Sequence, residues 1–269
     1  MIKLVVADID NTLVPKHQPV LERTRNDILK LQENGVLFGL ASGRNVEQLN
    51  TLQQQWNIKS DILIGLNGSE LYDGISNYTK LYYELQPDQI KQALDIMRPF
   101  DCNPTVFKKD VSYVGKIDQR IKDAQKYLKD NTVVLVENEE EFYKEPIPKM
   151  CFRIKQEDWP AIEKRLQSFH LEGFKAFRTE FTMLEFCHEN ASKGALLAKF
   201  CQDHDIDLKD VAAFGDMTND ISMLEIAGMS VCLLNGSDDA KNASKYITDY
   251  DVDHEGFADF VEKHILSEV

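Results

Sequence analysis

The chain has 269 residues, with 31 basic against 45 acidic side chains, a net charge of −14 and an apolar share of 43%. At about 150 residues per domain that predicts one large or two modest domains with real cores, and so acidic a chain makes a poor partner for nucleic acid, whose phosphates are held by clustered Lys and Arg. No run approaches the roughly 20 apolar residues of a membrane span, residues 1–7 are too short for a signal segment, and Cys102, Cys151, Cys187, Cys201 and Cys232 lack paired spacing, so a soluble cytoplasmic protein without disulfides or zinc is expected.

Residues 3–7 form a β-rich run that ends in the polar stretch Asp8-Ile9-Asp10-Asn11-Thr12. Residues 21–34 set Leu21, Ile28, Leu29 and Leu31 at near-helical spacing, and Asn34-Gly35 ends that helix. A second strand, 36–41, leads into Ser42-Gly43-Arg44. A helix with Val46, Leu49, Leu52 and Trp56 on one face follows, and 61–66 reads as a third strand. Apolar strands separated by helices point to a parallel sheet with right-handed crossovers. A hairpin of 70–73 and 78–83 flanks Gly74.

The rhythm then changes: helix 88–98, strands 104–107 and 111–115, helix 118–129, strands 132–136 and 148–154, helix 157–168, strands 173–178 and 182–187. Consecutive strands of this kind predict an α+β unit with an antiparallel sheet. After residue 190 the first rhythm returns, with helix 193–201, strand 211–214, helix 219–227, strand 230–233 and a terminal helix at 256–264. The chain reads as one α/β domain, residues 1–83 and 188–269, interrupted by an inserted α+β domain, 84–187. Met217, Met223 and Met229 read as core packing.

Ligands of open parallel sheets bind at the carboxyl ends of the strands. Four polar clusters fall there or at a helix start: Asp8/Asp10/Thr12, Ser42/Arg44, Ser192/Lys193 and Asp216/Asn219/Asp220. Each alone has a plain structural reading: turn chemistry for Asp-x-Asp, helix caps for Ser42, Ser192, Asn219 and Asp220, a solvated first-turn lysine for Lys193. Together they would bring Asp8, Asp10 and Asp216 to one rim with a lysine and a hydroxyl. Packed carboxylates repel one another and need a cation. Oxygen ligands select Mg²⁺, which takes one or two carboxylates, waters and substrate phosphate. The ammonium and hydroxyl suit the remaining oxygens of a phosphoryl group.

On these stretches the sequence resembles the haloacid dehalogenase superfamily, specifically its Cof-type phosphatases with a large C2B-type cap. The match runs in family order along almost the whole chain, as Asp8-Ile9-Asp10-Asn11-Thr12-Leu13, Ala41-Ser42-Gly43-Arg44, Ser192-Lys193-Gly194 and Gly215-Asp216-Met217-Thr218-Asn219-Asp220. Leu66-Asn67-Gly68 and the 227–236 segment are similar too. Asn11 stands where these phosphatases usually carry glycine, and Leu234-Asn235-Gly236 where the segment usually begins Met-Gly-Asn. Asparagine tolerates positive φ, so the first loop can still form.

The resemblance implies a Rossmann-like parallel-sheet core with an α+β cap, and a Mg²⁺-dependent hydrolysis of small phosphomonoesters such as sugar phosphates. Asp8 would attack phosphorus to give an aspartyl-phosphate. Asp10 would be general acid for the leaving oxygen and then base for water, and would give its backbone carbonyl to the metal beside Asp8 and Asp216. Ser42 would bond a phosphoryl oxygen and Lys193 would neutralise Asp8 and the transferring group. Asp220 would act through a metal-bound water or place Lys193. Asn219 would contact phosphate or orient its neighbours, Thr12 would steady the loop through backbone bonds, and Gly43, Arg44 and Asn67 would support the site or face the substrate. The insertion would select the phosphometabolite and close over the core, with hinges at 83–85 and 187–189. The same clusters also serve phosphomutases, and a phospho-accepting receiver domain shares the acidic pocket. An acid two positions after the nucleophile and about 100 inserted residues favour the hydrolase over the receiver.

Overall fold

Strand β1 (Leu4–Ala7) is apolar and buried at every position, as a strand enclosed on both faces of a parallel sheet must be. In the computed structural model, which describes residues 1–15, 18–108, 111–125 and 132–268, it is followed by α1 (Glu22–Glu33), β2 (Leu37–Ala41), α2 (Val46–Gln55) and β3 (Ile62–Gly65). A hairpin of β4 (Glu70–Asp73) and β5 (Tyr78–Leu81) comes next. Helix α2 begins on a reciprocal capping box: Asn45 accepts from the Gln48 N–H, and the Gln48 side chain accepts from the Asn45 N–H. Ser42 is therefore not its cap.

The following stretch runs α3 (Pro87–Met97), β6 (Asn103–Lys108), β7 (Val111–Val114), α4 (Gln119–Gln125) and β8 (Thr132–Leu135). It continues with β9 (Lys149–Arg153), α5 (Trp159–Leu166), β10 (Phe174–Glu180) and β11 (Met183–His188). The chain then returns through α6 (Lys193–Asp203), β12 (Val211–Gly215), α7 (Ile221–Leu224) and β13 (Met229–Cys232). It ends with α8 (Asp238–Ala243), β14 (Tyr246–Ile247) and α9 (Gly256–His264). Two compact units result, Met1–Tyr82 with Ala191–Val269, and Tyr83–Asn190.

The first unit holds an eight-stranded sheet in the order β14-β13-β12-β1-β2-β3-β4-β5. It is parallel from β14 to β3, and only β4 and β5 run antiparallel. Helices α1, α2 and α9 cover one face, where Ile28, Leu31, Leu49, Phe257 and Phe260 pack on Phe38, Leu40 and Phe214. Helices α6, α7 and α8 lie against β3, β12 and β13 on the other. Asp8, Ser42, Leu66 and Asp216 each follow directly on β1, β2, β3 and β12, so the four loops open at one rim of the sheet.

The second unit is a six-stranded sheet, β10-β11-β9-β6-β7-β8. It is not wholly antiparallel as expected: β7 and β8 pair in parallel, because α4 carries the chain back between them. One face is apolar, with Met150, Phe152, Leu184 and Phe186 packed among Ile90, Leu94 and Ile162 of α3 and α5. On the opposite face Lys149 and Glu185 form a buried ion pair at 3.1 Å.

Other expectations shift in extent. The 118–129 helix is α4, shorter, with residues 126–129 outside the described ones. The 157–168 helix begins as a 3-10 turn at Gln156–Asp158, and 219–227 splits into a 3-10 turn, Thr218–Asp220, and the four-residue α7. Met223 is buried and Met229 half-buried against the core, but Met217 is 46% exposed, so it does not pack the core. The five cysteines are buried and free. Among the described residues, no helix is long and apolar enough to cross a membrane.

Candidate active site

Lys193 is the first residue of α6, whose start Ser192 caps by accepting the Ala195 N–H at 3.1 Å. The lysine is fully buried, and its Nζ donates to Asp8 Oδ1 and to Asp220 Oδ1, both at 2.6 Å. The other oxygen of Asp220 accepts the backbone N–H groups of Asp216 (3.0 Å) and Met217 (3.1 Å). Asp220 is therefore spent on fixing the lysine and the loop after β12. The Thr12 hydroxyl donates to Asp216 Oδ1 at 2.9 Å, a side-chain partner where a backbone one was expected.

Carboxylate oxygens of Asp8, Asp216 and Asp220 lie within 4.8 Å of one another, all three residues buried. The carboxylate of Asp10, expected to converge with those of Asp8 and Asp216, does not join them. It pairs with Arg44 Nη2 at 3.0 Å, because the loops after the adjacent strands β1 and β2 bring the two side chains together.

Burial, with the charges of Asp220 and Asp216, pushes the Asp8 carboxyl well above the usual carboxylate range, against the pull of Lys193. Burial and Asp220 likewise push Asp216 up to about 7. Burial alone would lower Lys193, but Asp220 and Asp8 hold it above its ordinary value. Among the described residues these three buried carboxylates share the one ammonium of Lys193, and the surplus is negative.

A second tier of contacts holds the loops to each other. Ser42 is buried and its Oγ accepts the Arg44 N–H at 3.4 Å, while its carbonyl accepts the Asn67 N–H at 3.0 Å. Asn219 Nδ2 donates to Asn67 Oδ1 at 3.2 Å. A side chain on Gly43 would start 3.4 Å from that same Asn67 amide. Leu66, Asn67 and Gly68 take φ of 53°, 55° and 101° in succession, a left-handed run whose close fit needs glycine at its end: a Cβ on Gly68 would sit 2.0 Å from the Ser192 carbonyl oxygen. The sequence left the roles of Arg44 and Asn67 open between structure and substrate. Both of their side chains touch members of the site.

One residue was missed. Asn235, after β13, donates from Nδ2 to the Asn11 carbonyl at 2.8 Å and accepts the Val252 N–H at 2.9 Å. The only signal for it was that both Asn11 and the 234–236 stretch depart from the family pattern. Asn11 takes the left-handed conformation, φ 65°. In the second unit His188 stacks on Tyr83 at 5.3 Å.

Comparison with known proteins bears on this rim. Over 265 residues the chain is 25% identical to 5-amino-6-(5-phospho-D-ribitylamino)uracil phosphatase YitU of Bacillus subtilis, covering 97% of each. It is 26% identical over 268 residues to the phosphatase of the same description YcsE, covering 98% of this chain and 96% of the relative. The fold is shared with a haloacid dehalogenase-like hydrolase from Bacteroides thetaiotaomicron, at a TM-score of 0.85 and 23% identity over 98% of this chain and 99% of the other. The family model for haloacid dehalogenase-like hydrolases matches residues 5–261. With that span covering both halves of the sheet and every loop of the rim, the chain belongs to the haloacid dehalogenase-like hydrolase family.

Proposed function

We propose that the chain is a Mg²⁺-dependent phosphomonoesterase that works through an aspartyl-phosphate on Asp8. The observation that carries this is the charge imbalance at the rim, where Asp8, Asp216 and Asp220 surround Lys193. A buried, oxygen-only donor set with surplus negative charge fits a hard divalent cation. Asp8, Asp216 and the backbone carbonyl of Asp10 would hold it, and when bound it would offset the repulsion between carboxylate and phosphate.

Lys193 fixes Asp8 Oδ1, and Oδ2 is the attacking atom. It forms a bond to phosphorus as the bond from phosphorus to the ester oxygen breaks. Asp10 gives its proton to that departing oxygen, then takes one from the water that hydrolyses the acyl phosphate. Arg44, at 3.0 Å, holds the Asp10 carboxylate at the rim. Ser42 bonds a phosphoryl oxygen, with Asn67 and Asn219 aligning the loop behind it. Asp220 places Lys193. The insertion, residues 84–187, selects the alcohol. Relatives named as phosphatases of a ribitylamino-uracil phosphate support a small phosphorylated metabolite as substrate.

The test is phosphate release from a panel of phosphometabolites, with and without Mg²⁺. Release should need the metal, return when Mg²⁺ is restored after chelation, and vanish in Asp8→Asn. Full activity in excess chelator, or in Asp8→Asn, would refute the proposal.

A further inference from the structure

We infer that Asn235 is a positioning residue for Asp10, acting through the Asn11 peptide. This rests on the proposal that Asp10 protonates the leaving oxygen. Asp10 rides on a tight loop in which the Asn11 N–H donates to the Val14 carbonyl at 2.7 Å, and the Leu13 and Val14 N–H groups both donate to the Ile9 carbonyl at 3.0 Å. These bonds close the loop on itself, but none of them ties Asn11 to the neighbouring loops. The Asn11 carbonyl receives the Asn235 amide at 2.8 Å.

Asn235 is itself well anchored. Its turn is pinned to β12, with the Leu233 N–H on the Gly215 carbonyl (3.1 Å) and the Ser237 N–H on the Asp216 carbonyl (2.8 Å). The other end of its side chain accepts the Val252 N–H. The residue that follows is closely packed, since a Cβ on Gly236 would lie 2.4 Å from Cys232 Sγ. A run of hydrogen bonds therefore leads from the loop that carries Asp216, through Asn235, to the peptide that follows Asp10. A general acid has to meet the leaving oxygen within about 2.6–3.2 Å, and a misplacement of about 1 Å costs on the order of 10²-fold.

Two variants separate the two bonds of the Asn235 side chain. Asn235→Ala loses both bonds. Asn235→Asp keeps an acceptor for Val252 but cannot donate to the Asn11 carbonyl. The rate of phosphoenzyme formation is followed in a single turnover at saturating Mg²⁺, with an alkyl phosphate, whose leaving oxygen needs a proton, and an aryl phosphate, whose leaving oxygen hardly does. In both variants the alkyl rate should fall about tenfold more than the aryl rate. Without substrate, amide exchange in residues 10–14 should quicken roughly three- to tenfold in both variants, as expected for one lost hydrogen bond. An alkyl-to-aryl ratio like the wild type's in Asn235→Ala, a wild-type ratio confined to Asn235→Asp, or unaltered exchange would each overturn the inference. Failure of the underlying proposal looks different: the wild type itself would release no phosphate, and the exchange measurement would still decide whether Asn235 holds the loop.

Discussion

Replacing Asp216 with asparagine removes one of three like charges yet keeps an acceptor for the Thr12 hydroxyl. The carboxylate oxygens involved lie within 4.8 Å of one another, so each ionised pair repels by about 3.5 kcal/mol at an effective dielectric constant near 20. Asp216 takes part in two such pairs, and attraction to Lys193 offsets roughly one. At pH 8 most of Asp216, with its pKa pushed up to about 7, is ionised, while Asp8, pushed up to about 8, is about half so, which halves the repulsion between these two. The metal-free variant should therefore be more stable than the wild type by about 1–3 kcal/mol, a rise in Tm of the order of 2–8 °C. Mg²⁺ should reverse the ranking, because the wild type gains from the ion and the variant has lost a ligand. Thermal melts in chelator, followed by Mg²⁺ titration, read both effects. A variant that melts below the wild type in chelator, or that gains as much from Mg²⁺, would refute the charge argument.

Asp8→Asn should form no phosphoenzyme, whereas Asp10→Asn with an aryl phosphate should phosphorylate Asp8 and then stall, its turnover down by about 10²–10⁴-fold; rapid quench and intact mass distinguish the two. Asp73, at the end of β4, is buried and accepts the N–H groups of Ile75 (3.0 Å) and Ser76 (2.9 Å) and pairs with His204 Nε2 at 2.7 Å. Burial opposes ionisation there, but the Ser76 N–H and His204 outweigh it and hold the carboxyl below its ordinary pKa. Its contribution is thus complete above the ordinary carboxylate pKa of about 3.9 and lost as pH falls through the lower folded value. Asp73→Ala should cost about 2–4 kcal/mol at pH 7 in urea denaturation, with the gap to the wild type narrowing as pH falls below about 3.9. Lys149→Met should cost about 3–5 kcal/mol by stranding Glu185, and adding Glu185→Leu should recover most of it. Additive losses in the double variant would contradict that coupling.

The candidate site's rim was legible because each of its loops starts where an apolar strand stops, and that break is written locally. Asp8, Lys193 and Asp216 could be assembled from order along the chain. Their partners could not, since Arg44 meets Asp10, and Asn235 meets Asn11, only once strand order has been set by the whole sheet. Asp10, two residues after Asp8, reads as converging with it, but the turn after β1 sends its carboxylate to Arg44 in the next loop. Strand β14, two residues long, and α8, of six residues, are too short to carry a periodic signal. The parallel pairing of β7 with β8 was hidden because alternation marks a strand without marking its direction.

The position of β1 has a consequence for biosynthesis. It pairs with β2 on one side and, in the register Leu4↔Val211, with β12 on the other. A nascent chain that has exposed β1 to β3 still lacks the strand that flanks Asp8, together with Lys193, Asp216 and Asp220. The inserted unit is contiguous, so it can fold on the ribosome first. Its ends are held side by side by the Tyr83–His188 stack at 5.3 Å. Once folded, it shortens the connection from β5 to β12 from about 130 residues to about 20, worth about 1.5 kcal/mol of closure entropy. Vectorial synthesis thus keeps the crowded acids apart until the chain that neutralises them has arrived.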